Sequence, residues 1–284
     1  MASDAPALSS PEWVVVCADS AWQTLDFISD VHLQARQPAT FLAWQRYLAH
    51  TPADAVFILG DLFDVWVGDD TASSGPSGEW VADGGASFEA QCLHVLQAAS
   101  QRLQVFFMHG NRDFLVGQAF ALACRMTLID DPCVLTFDQQ RFLLSHGDAL
   151  CLADTDYQRF RQQVRTKAWV DDFLALPLAV RRQMAADMRT QSESHKASGY
   201  CADTARYADV DDAAVRQWLD AARASTLIHG HTHRPVDHQV DIQTPRYRRV
   251  LGSWIDSDSA THPPVLRLCR QSDATVPKVY RLPS

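Results

Sequence analysis

LDFISDVH, residues 25–32, decides how this chain is read. A short run rich in Leu, Phe and Ile suits a strand buried on both faces. It ends in two side chains able to hold a metal, Asp30 and His32. The same construction recurs four times. AVFIL (55–59) leads through Gly60 to Asp61, and VFFM (105–108) leads through His109 and Gly110 to Asn111. FLLS (142–145) leads to His146, and TLIH (226–229) leads through Gly230 to His231 and His233. In layered α/β folds ligands bind at the carboxyl ends of the strands. Five runs with termini of one chemical kind therefore predict an α/β fold with a single site.

Outward from these runs, WVVVCA (13–18) offers an edge strand, and residues 69–87, rich in Gly, Ser and Asp, read as a solvated loop. Residues 153–222 are dominated by helical patterns, with a break near 191–204, and read as a helical insertion upon the α/β core.

Asp30, His32, Asp61, Asn111, His146, His231 and His233 combine imidazole, carboxylate and amide without thiolate. That set suits Mn²⁺, Fe or Zn²⁺ and not Ca²⁺ or an iron–sulfur centre. Seven ligands exceed what one ion takes while keeping an open position, whereas two ions sharing a bridging carboxylate use them all. In Asp30-Val31-His32 and His231-Thr232-His233 the i, i+2 spacing on extended backbone puts both side chains on one side. Two ions ~3.5–4 Å apart clamp a phosphoryl group and activate water near neutral pH. Phosphoester or phosphoanhydride hydrolysis is the expected chemistry. Taken singly, each motif also reads as a turn or a helix cap.

The motifs D-x-H (30–32), GDLFD (60–64), GNRD (110–113), HGD (146–148) and GHTH (230–233) resemble those of the calcineurin-like metallophosphoesterases. The resemblance implies a four-layer αββα sandwich, a single domain over residues 1–284. It further implies one metal on Asp30, His32, Asp61 and His233 and another on Asp61, Asn111, His146 and His231. Many members carry GNH; here Arg112 follows Asn111. A guanidinium stays charged and cannot serve as a general acid, but it can hold a phosphate oxygen and offset developing charge. That suits a departing phosphate, which hardly needs protonation. The alternative for Arg112 is a surface pair with Asp113.

Longer matches, GDLFDVWVGDD (60–70), HGNRDFLVG (109–117), SHGDALC (145–151), FLALPLAVRR (173–182) and LIHGHTHRP (227–235), resemble the UDP-2,3-diacylglucosamine pyrophosphate hydrolases of lipid A biosynthesis. This implies hydrolysis of a UDP-linked diacylated glucosamine to UMP and 2,3-diacylglucosamine 1-phosphate with two Mn²⁺ ions. It also implies catalytic roles for Asn111, Arg112 and His231, and substrate contacts on these and on Asp154 and Ser192. Asp154 reads equally as a helix cap before Tyr157, and Ser192 as a turn residue. Beyond it, SESHKASGY departs from the family's run, and Lys196 is the ammonium available to a phosphate. His109 and His229 precede ligand motifs and read either as partners orienting the ligands or as core groups. Two further readings stand beside this one: another dimetal phosphodiesterase or phosphatase on the same fold, and a non-enzymatic binding scaffold.

Residues 157–190 hold Arg159, Arg161, Arg165, Lys167, Arg181, Arg182 and Arg189 against Asp171, Asp172 and Asp187, seven minus three or +4. Phe160, Trp169, Phe173, Leu174 and Met184 are interleaved. A basic face beside an apolar one suits an anionic glycolipid or a membrane surface. Pro177 splits the stretch into a helical hairpin, a lid over the site. The plain alternative is a hairpin whose apolar side packs on the core.

The whole chain, by contrast, is acidic: Lys+Arg 25 against Asp+Glu 34 among 284 residues, a net charge of -9. That argues against a nucleic-acid coat. No apolar run approaches the ~18–20 residues that span a bilayer, and the N-terminus reads as no secretory signal. Seven cysteines without a CxxC pair read as reduced thiols, most of them small core residues. A cytoplasmic protein is expected, and the resemblance implies peripheral contact with the cytoplasmic face of the inner membrane.

Overall fold

All five apolar runs form strands, and the strands divide between two sheets. The computed structural model describes residues 13–72, 87–197, 209–241, 243–255, 263–272 and 276–282. In chain order its elements are β1 (Val14–Cys17), β2 (Thr24–Ile28), α1 (Pro38–His50), β3 (Ala55–Leu59), α2 (Phe88–Ala99) and β4 (Gln104–Met108). There follow α3 (Gln118–Cys124), β5 (Met126–Ile129), β6 (Cys133–Phe137), β7 (Gln140–Ser145), α4 (Thr155–Val164), α5 (Lys167–Leu174) and α6 (Leu178–Ala197). Last come α7 (Asp212–Ala222), β8 (Thr226–His229), β9 (Asp237–Asp241), β10 (Arg246–Val250), β11 (Leu266–Cys269) and β12 (Lys278–Arg281).

One sheet runs β12-β11-β2-β3-β4-β5 and the other β1-β6-β7-β8-β10-β9. Strands β2 to β5 are parallel, as are β7, β8 and β10. WVVVCA supplies the edge strand β1, parallel to β6. Asp138 and Gln139, with φ of 52° and 62°, join β6 to β7 in a two-residue hairpin; turns with both central residues left-handed match the twist of such strands.

Alternation along each strand sorts the side chains into layers. Leu25 and Phe27 of β2 and Ala55, Phe57 and Leu59 of β3 meet Leu135, Phe142, Leu144 and Ile228 between the sheets. Phe57 stacks between Phe27 and Phe106, at centroid distances of 5.2 and 4.5 Å. On the other face of that sheet, Val56, Ile58, Val105 and Phe107 pack with Trp44, Leu48, Leu96 and Phe120 of α1, α2 and α3. Across the molecule, Val134, Leu143 and Leu227 pack with Val215, Trp218 and Leu219 of α7. The four layers are therefore α1–α3, sheet, sheet, α7, the αββα sandwich expected. Within the first interface, Asp26 is fully buried and accepts from Arg267 Nε and Nη2 (2.6 and 2.8 Å), Tyr47 Oη (2.9 Å) and Thr51 Oγ1 (2.6 Å).

Three expectations for the variable regions need correction. Asp69–Ala72 is a 3₁₀ turn and not a solvated loop: Thr71 and Ala72 are buried, and Asp69 accepts from Gly117 N (2.8 Å) and Phe120 N (2.9 Å), capping α3 from a distant segment. The rest of that stretch, 73–86, lies outside the described residues.

The second correction concerns 153–222. Pro177 does separate two helices, α5 and α6, but Thr166 separates α4 from α5 as well, its side chain accepting from Trp169 N. Helix α6 continues through residue 191 to Ala197 where a break was expected, and α7 belongs to the outer layer of the sandwich.

Third, the cations of this segment do not all form a solvent face. Arg161 Nε donates to Asp148 at 2.9 Å, and Arg165 Nη2 donates to the Gly110 carbonyl at 2.8 Å. Arg181, 4% exposed, pairs with Asp70 and donates to the Val67 and Leu176 carbonyls. Composition cannot distinguish an arginine turned inward to a carboxylate from one turned outward. Phe160, Leu174, Val180 and Met184 are exposed, whereas Phe173 is buried and Trp169 and Leu176 pack on the core.

Cys92, Cys124, Cys133 and Cys151 are buried free thiols, Cys17 is exposed and Cys269 half-buried; Cys201 lies outside the described residues. Among the described residues no helix is long and apolar enough to cross a membrane.

Candidate metal centre

Loops following β2, β3, β4, β7 and β8 meet at one edge of the sandwich, and all seven candidate ligands converge there. Asp30 Oδ1 lies 3.2 Å from His233 Nε2 and 4.0 Å from His32 Nε2. His32 Nε2 lies 3.4 Å from His233 Nε2. Asp61 extends Oδ2 to 4.0 Å from His32 Nε2 and Oδ1 to 3.8 Å from His146 Nε2. Asn111 Oδ1 is 3.0 Å from both His146 Nε2 and His231 Nδ1. Asp30 with His32 and His233, and Asp30 with Asp61 and His146, are each compact enough to hold an ion.

How the chain delivers these groups differs from the extended D-x-H and H-x-H segments expected. Asp30, His32, Asp61, His231 and His233 have φ of 53°, 52°, 53°, 67° and 53°. Left-handed conformations of non-glycine residues cost on the order of 1–3 kcal/mol each and persist only where the surroundings over-determine them. Here they do. Asp30 N donates to Gly60 O, His32 N to Asp61 O, Gly230 N to His146 O, and Trp254 N to Asp30 O, all at 2.9–3.1 Å. The loops also approach closely: a Cβ on Gly110 would fall 2.1 Å from Asp61 Oδ1 and 2.3 Å from Asp61 N, so only glycine fits.

Two residues to which the sequence reading gave no structural role hold this site in place. Asp113, fully buried, accepts from Gly110 N (2.8 Å), Asp61 N (3.2 Å), Leu62 N (2.7 Å) and Phe63 N (3.3 Å). It is therefore committed to the loops and not to a surface pair with Arg112. Ser29 Oγ donates to Asp30 Oδ2 at 2.5 Å, beside the His231 N–H at 3.0 Å. An Asp or Ser next to a turn motif was the only signal, and turns are full of both.

The electrostatics ask for a cation. Burial, with Asp113 and Asp30 nearby, pushes the Asp61 carboxyl up to about 7. Burial pushes the His32 and His231 imidazoles down to about 3, leaving them neutral. Burial also opposes charge on His146, but the carboxylates of Asp61, Asp148 and Asp30 outweigh it and raise this imidazole to about 9. The Leu59 carbonyl, 2.9 Å from His146 Nδ1, can only accept, so Nδ1 carries a hydrogen. His146 Nε2 then faces two acceptors, Asn111 Oδ1 and Asp61 Oδ1, a position that requires a proton or a metal. Imidazoles oriented by a carbonyl, and buried carboxylates in excess of their partners, fit a pair of divalent cations.

The remaining candidates are placed as follows. Arg112 is half-buried beside the cluster, its backbone N donating to Asp61 Oδ1 at 2.8 Å, and its charge acts on both Asp61 and His32. Asp154 is exposed and caps α4, accepting from Tyr157 N at 3.1 Å. Ser192 and Lys196 lie in α6, with side chains outside the described residues. His109 Nε2 donates to Val116 O at 2.7 Å, and His229 is fully buried with Nδ1 2.9 Å from Gly230 O.

Comparison with known proteins fits this geometry. The calcineurin-like phosphoesterase family model matches residues 24–235. The UDP-2,3-diacylglucosamine hydrolase of Aeromonas hydrophila subsp. hydrophila is 43% identical over 238 residues, covering 82% of this chain and 91% of that protein. The protein of the same name from Chromohalobacter salexigens is 41% identical over 231 residues, covering 80% and 87%. A solved archaeal phosphodiesterase superimposes with a TM-score of 0.42 at 13% identity, over 91% of this chain and 99% of that one.

Proposed function

The chain belongs to the calcineurin-like phosphoesterases and, within them, to the UDP-2,3-diacylglucosamine hydrolase family, and from that membership we propose that it hydrolyses the pyrophosphate of UDP-2,3-diacylglucosamine. The products are UMP and 2,3-diacylglucosamine 1-phosphate. One observation carries the reading: buried carboxylates, neutral imidazoles and an amide oxygen converge with more acceptor capacity than the protein's own donors satisfy.

Asp30, His32, Asp61 and His233 would hold one divalent cation, and Asp61, Asn111, His146 and His231 the other, both Mn²⁺ in this proposal. When bound, such a pair polarises a phosphoryl group and lowers the pKa of water. The chain's own residues do the rest. Arg112, permanently charged, offsets negative charge on the phosphoryl oxygens and fixes their orientation. The leaving phosphate carries its charge without a proton donor, so an arginine serves where a weaker base's conjugate acid would be needed for an alkoxide. Asn111 and His231 line the same edge and contact the phosphoryl group. Asp154, Ser192 and Lys196 contact the sugar and phosphate beyond it. The exposed Phe160, Leu174, Val180 and Met184 of the insertion support a role in meeting acyl chains and the cytoplasmic face of the inner membrane, as a peripheral protein that engages no nucleic acid.

The test is Mn²⁺-dependent release of UMP from UDP-2,3-diacylglucosamine, with UDP-N-acetylglucosamine run alongside. Release from the diacylated compound alone is expected. Equal release from both would remove the lipid specificity, and release from neither, with metal bound, would overturn the substrate.

A further inference from the structure

Helix α4 does more than begin the insertion. Three of its side chains reach the loops that carry the metal ligands. Tyr157 Oη donates to Asp148 Oδ2, and its ring lies 6.1 Å from that of His231 at an interplanar angle of 26°. Arg161 Nε donates to the same carboxylate at 2.9 Å, with Nη2 3.5 Å from Asp131 Oδ2. Arg165, which caps the C-terminus of α4, donates from Nη2 to the Gly110 carbonyl at 2.8 Å; the same nitrogen lies 3.5 Å from Asp148 Oδ2. Its guanidinium also sits over the Phe114 ring, 5.5 Å from the centroid. Asp148 is fully buried two residues after His146, and Gly110 immediately precedes Asn111.

We infer that Arg165 is a positioning residue for the second half of the metal centre, acting through the Gly110–Asn111 peptide and not by touching a cation. Asn111 Oδ1 must face His146 and His231 together. The peptide leading into it has no side chain at Gly110 to fix its plane. The N–H of Gly110, in the preceding peptide, is held by Asp113, and the carbonyl of the Gly110–Asn111 peptide is held by Arg165. That guanidinium is anchored by the same carboxylate that follows His146, so a single side chain ties the 109–113 loop to the 146–148 loop. Both contacts come from one terminal nitrogen, and the planar guanidinium that carries it is set in place over the Phe114 ring, a stacking that an ammonium on a flexible stem does not reproduce.

The inference rests on the dimetal reading, and its test reads metal binding without substrate. Mn²⁺ is titrated calorimetrically into the metal-free protein, its Arg165→Met and Arg165→Lys variants, and Arg159→Met. Arg159 lies on the same helix, exposed and paired only with Asp156 among the described residues. Thermal unfolding of each variant reads structural loss separately. Arg165→Met is expected to weaken Mn²⁺ binding at one of two sites about 10-fold, the scale of losing a group that orients a ligand. Arg165→Lys should recover part of the loss, with Arg159→Met unchanged. Parental Mn²⁺ affinity in Arg165→Met overturns the inference, as does a weakening shared by Arg159→Met. If Arg165→Met does not fold, Arg165→Lys decides by the same criterion. Failure of the parental protein to release UMP would count against the substrate and leave this result standing.

Discussion

Asp61 is the residue on which both halves of the centre depend, since its two oxygens face His32 and His146 separately. Replacing it by Asn, or His146 by Ala, is expected to reduce UMP release below detection and to abolish binding of at least one Mn²⁺ in calorimetry. Arg112→Ala should differ in kind: both ions bind as in the parent, and kcat falls roughly 100-fold, the cost of removing a charge-stabilising donor. Near-parental turnover in either ligand variant would remove the assignment. At this scale the sequence was informative about chemistry and silent about conformation. All seven candidate ligands stood at strand ends and were legible as a set. Five of them adopt left-handed backbone, which no pattern of Asp and His announces. The roles of Asp113 and Ser29 were illegible for a related reason, because their partners are backbone N–H groups and a carboxylate that only the fold orients.

At the scale of elements, strands were legible because burial on both faces writes continuous apolar runs. Helices of the insertion were less so. Thr166 caps α5 within a polar stretch where any of several residues could have done so, and three of the arginines read as a face, Arg161, Arg165 and Arg181, proved to be ties to the core. The clearest energetic test lies between β2, β11 and α1. Arg267→Met would leave the Asp26 carboxylate buried beside Tyr47 and Thr51 without its cation, at a cost of roughly 3–5 kcal/mol. Denaturant unfolding should record it as a lower midpoint with unchanged slope. The double variant Asp26→Leu with Arg267→Met should lose less than Arg267→Met alone, since an apolar pair leaves no orphaned charge. A double variant as unstable as the single would mean that the ion pair itself stabilises the interface.

For the molecule as a whole, the metal-free protein should become less stable as pH rises towards 9. Folded His146 holds its proton up to about 9 against 6.5 in the unfolded chain, so its contribution is complete below about 6.5 and lost as pH climbs through 9. The raised Asp61 carboxyl acts in the same direction around pH 7. Buried His32, His229 and His231, pushed down to about 3, 4 and 3, act the other way as the unfolded chain loses its protons near 6.5, so thermal unfolding in chelator should show Tm falling between about 7.5 and 9, where His146 dominates. Saturating Mn²⁺ should raise Tm and flatten that slope, because a bound cation replaces the protons and stabilises the folded state by mass action. A chelator-treated protein whose Tm rises over this interval would contradict the electrostatic reading. The four-layer plan was accessible through the resemblance carried by the motifs. Division of the strands between two sheets, and of 153–222 between insertion and outer layer, was not, because neither sheet membership nor a helix's packing partner is written in local pattern.

Asp30, His32, Asp61 and Asn111 follow strands of one sheet, whereas His146, His231 and His233 follow strands of the other. During synthesis the first four leave the ribosome well before the last two. A nascent chain ending before β8 owns both carboxylates but only two of the four imidazoles, and so cannot close either half of the centre. Under the proposed ligand sets, both halves of the centre are complete only once the chain has passed His233, so binding of the full pair of cations waits until strands from both sheets have been made.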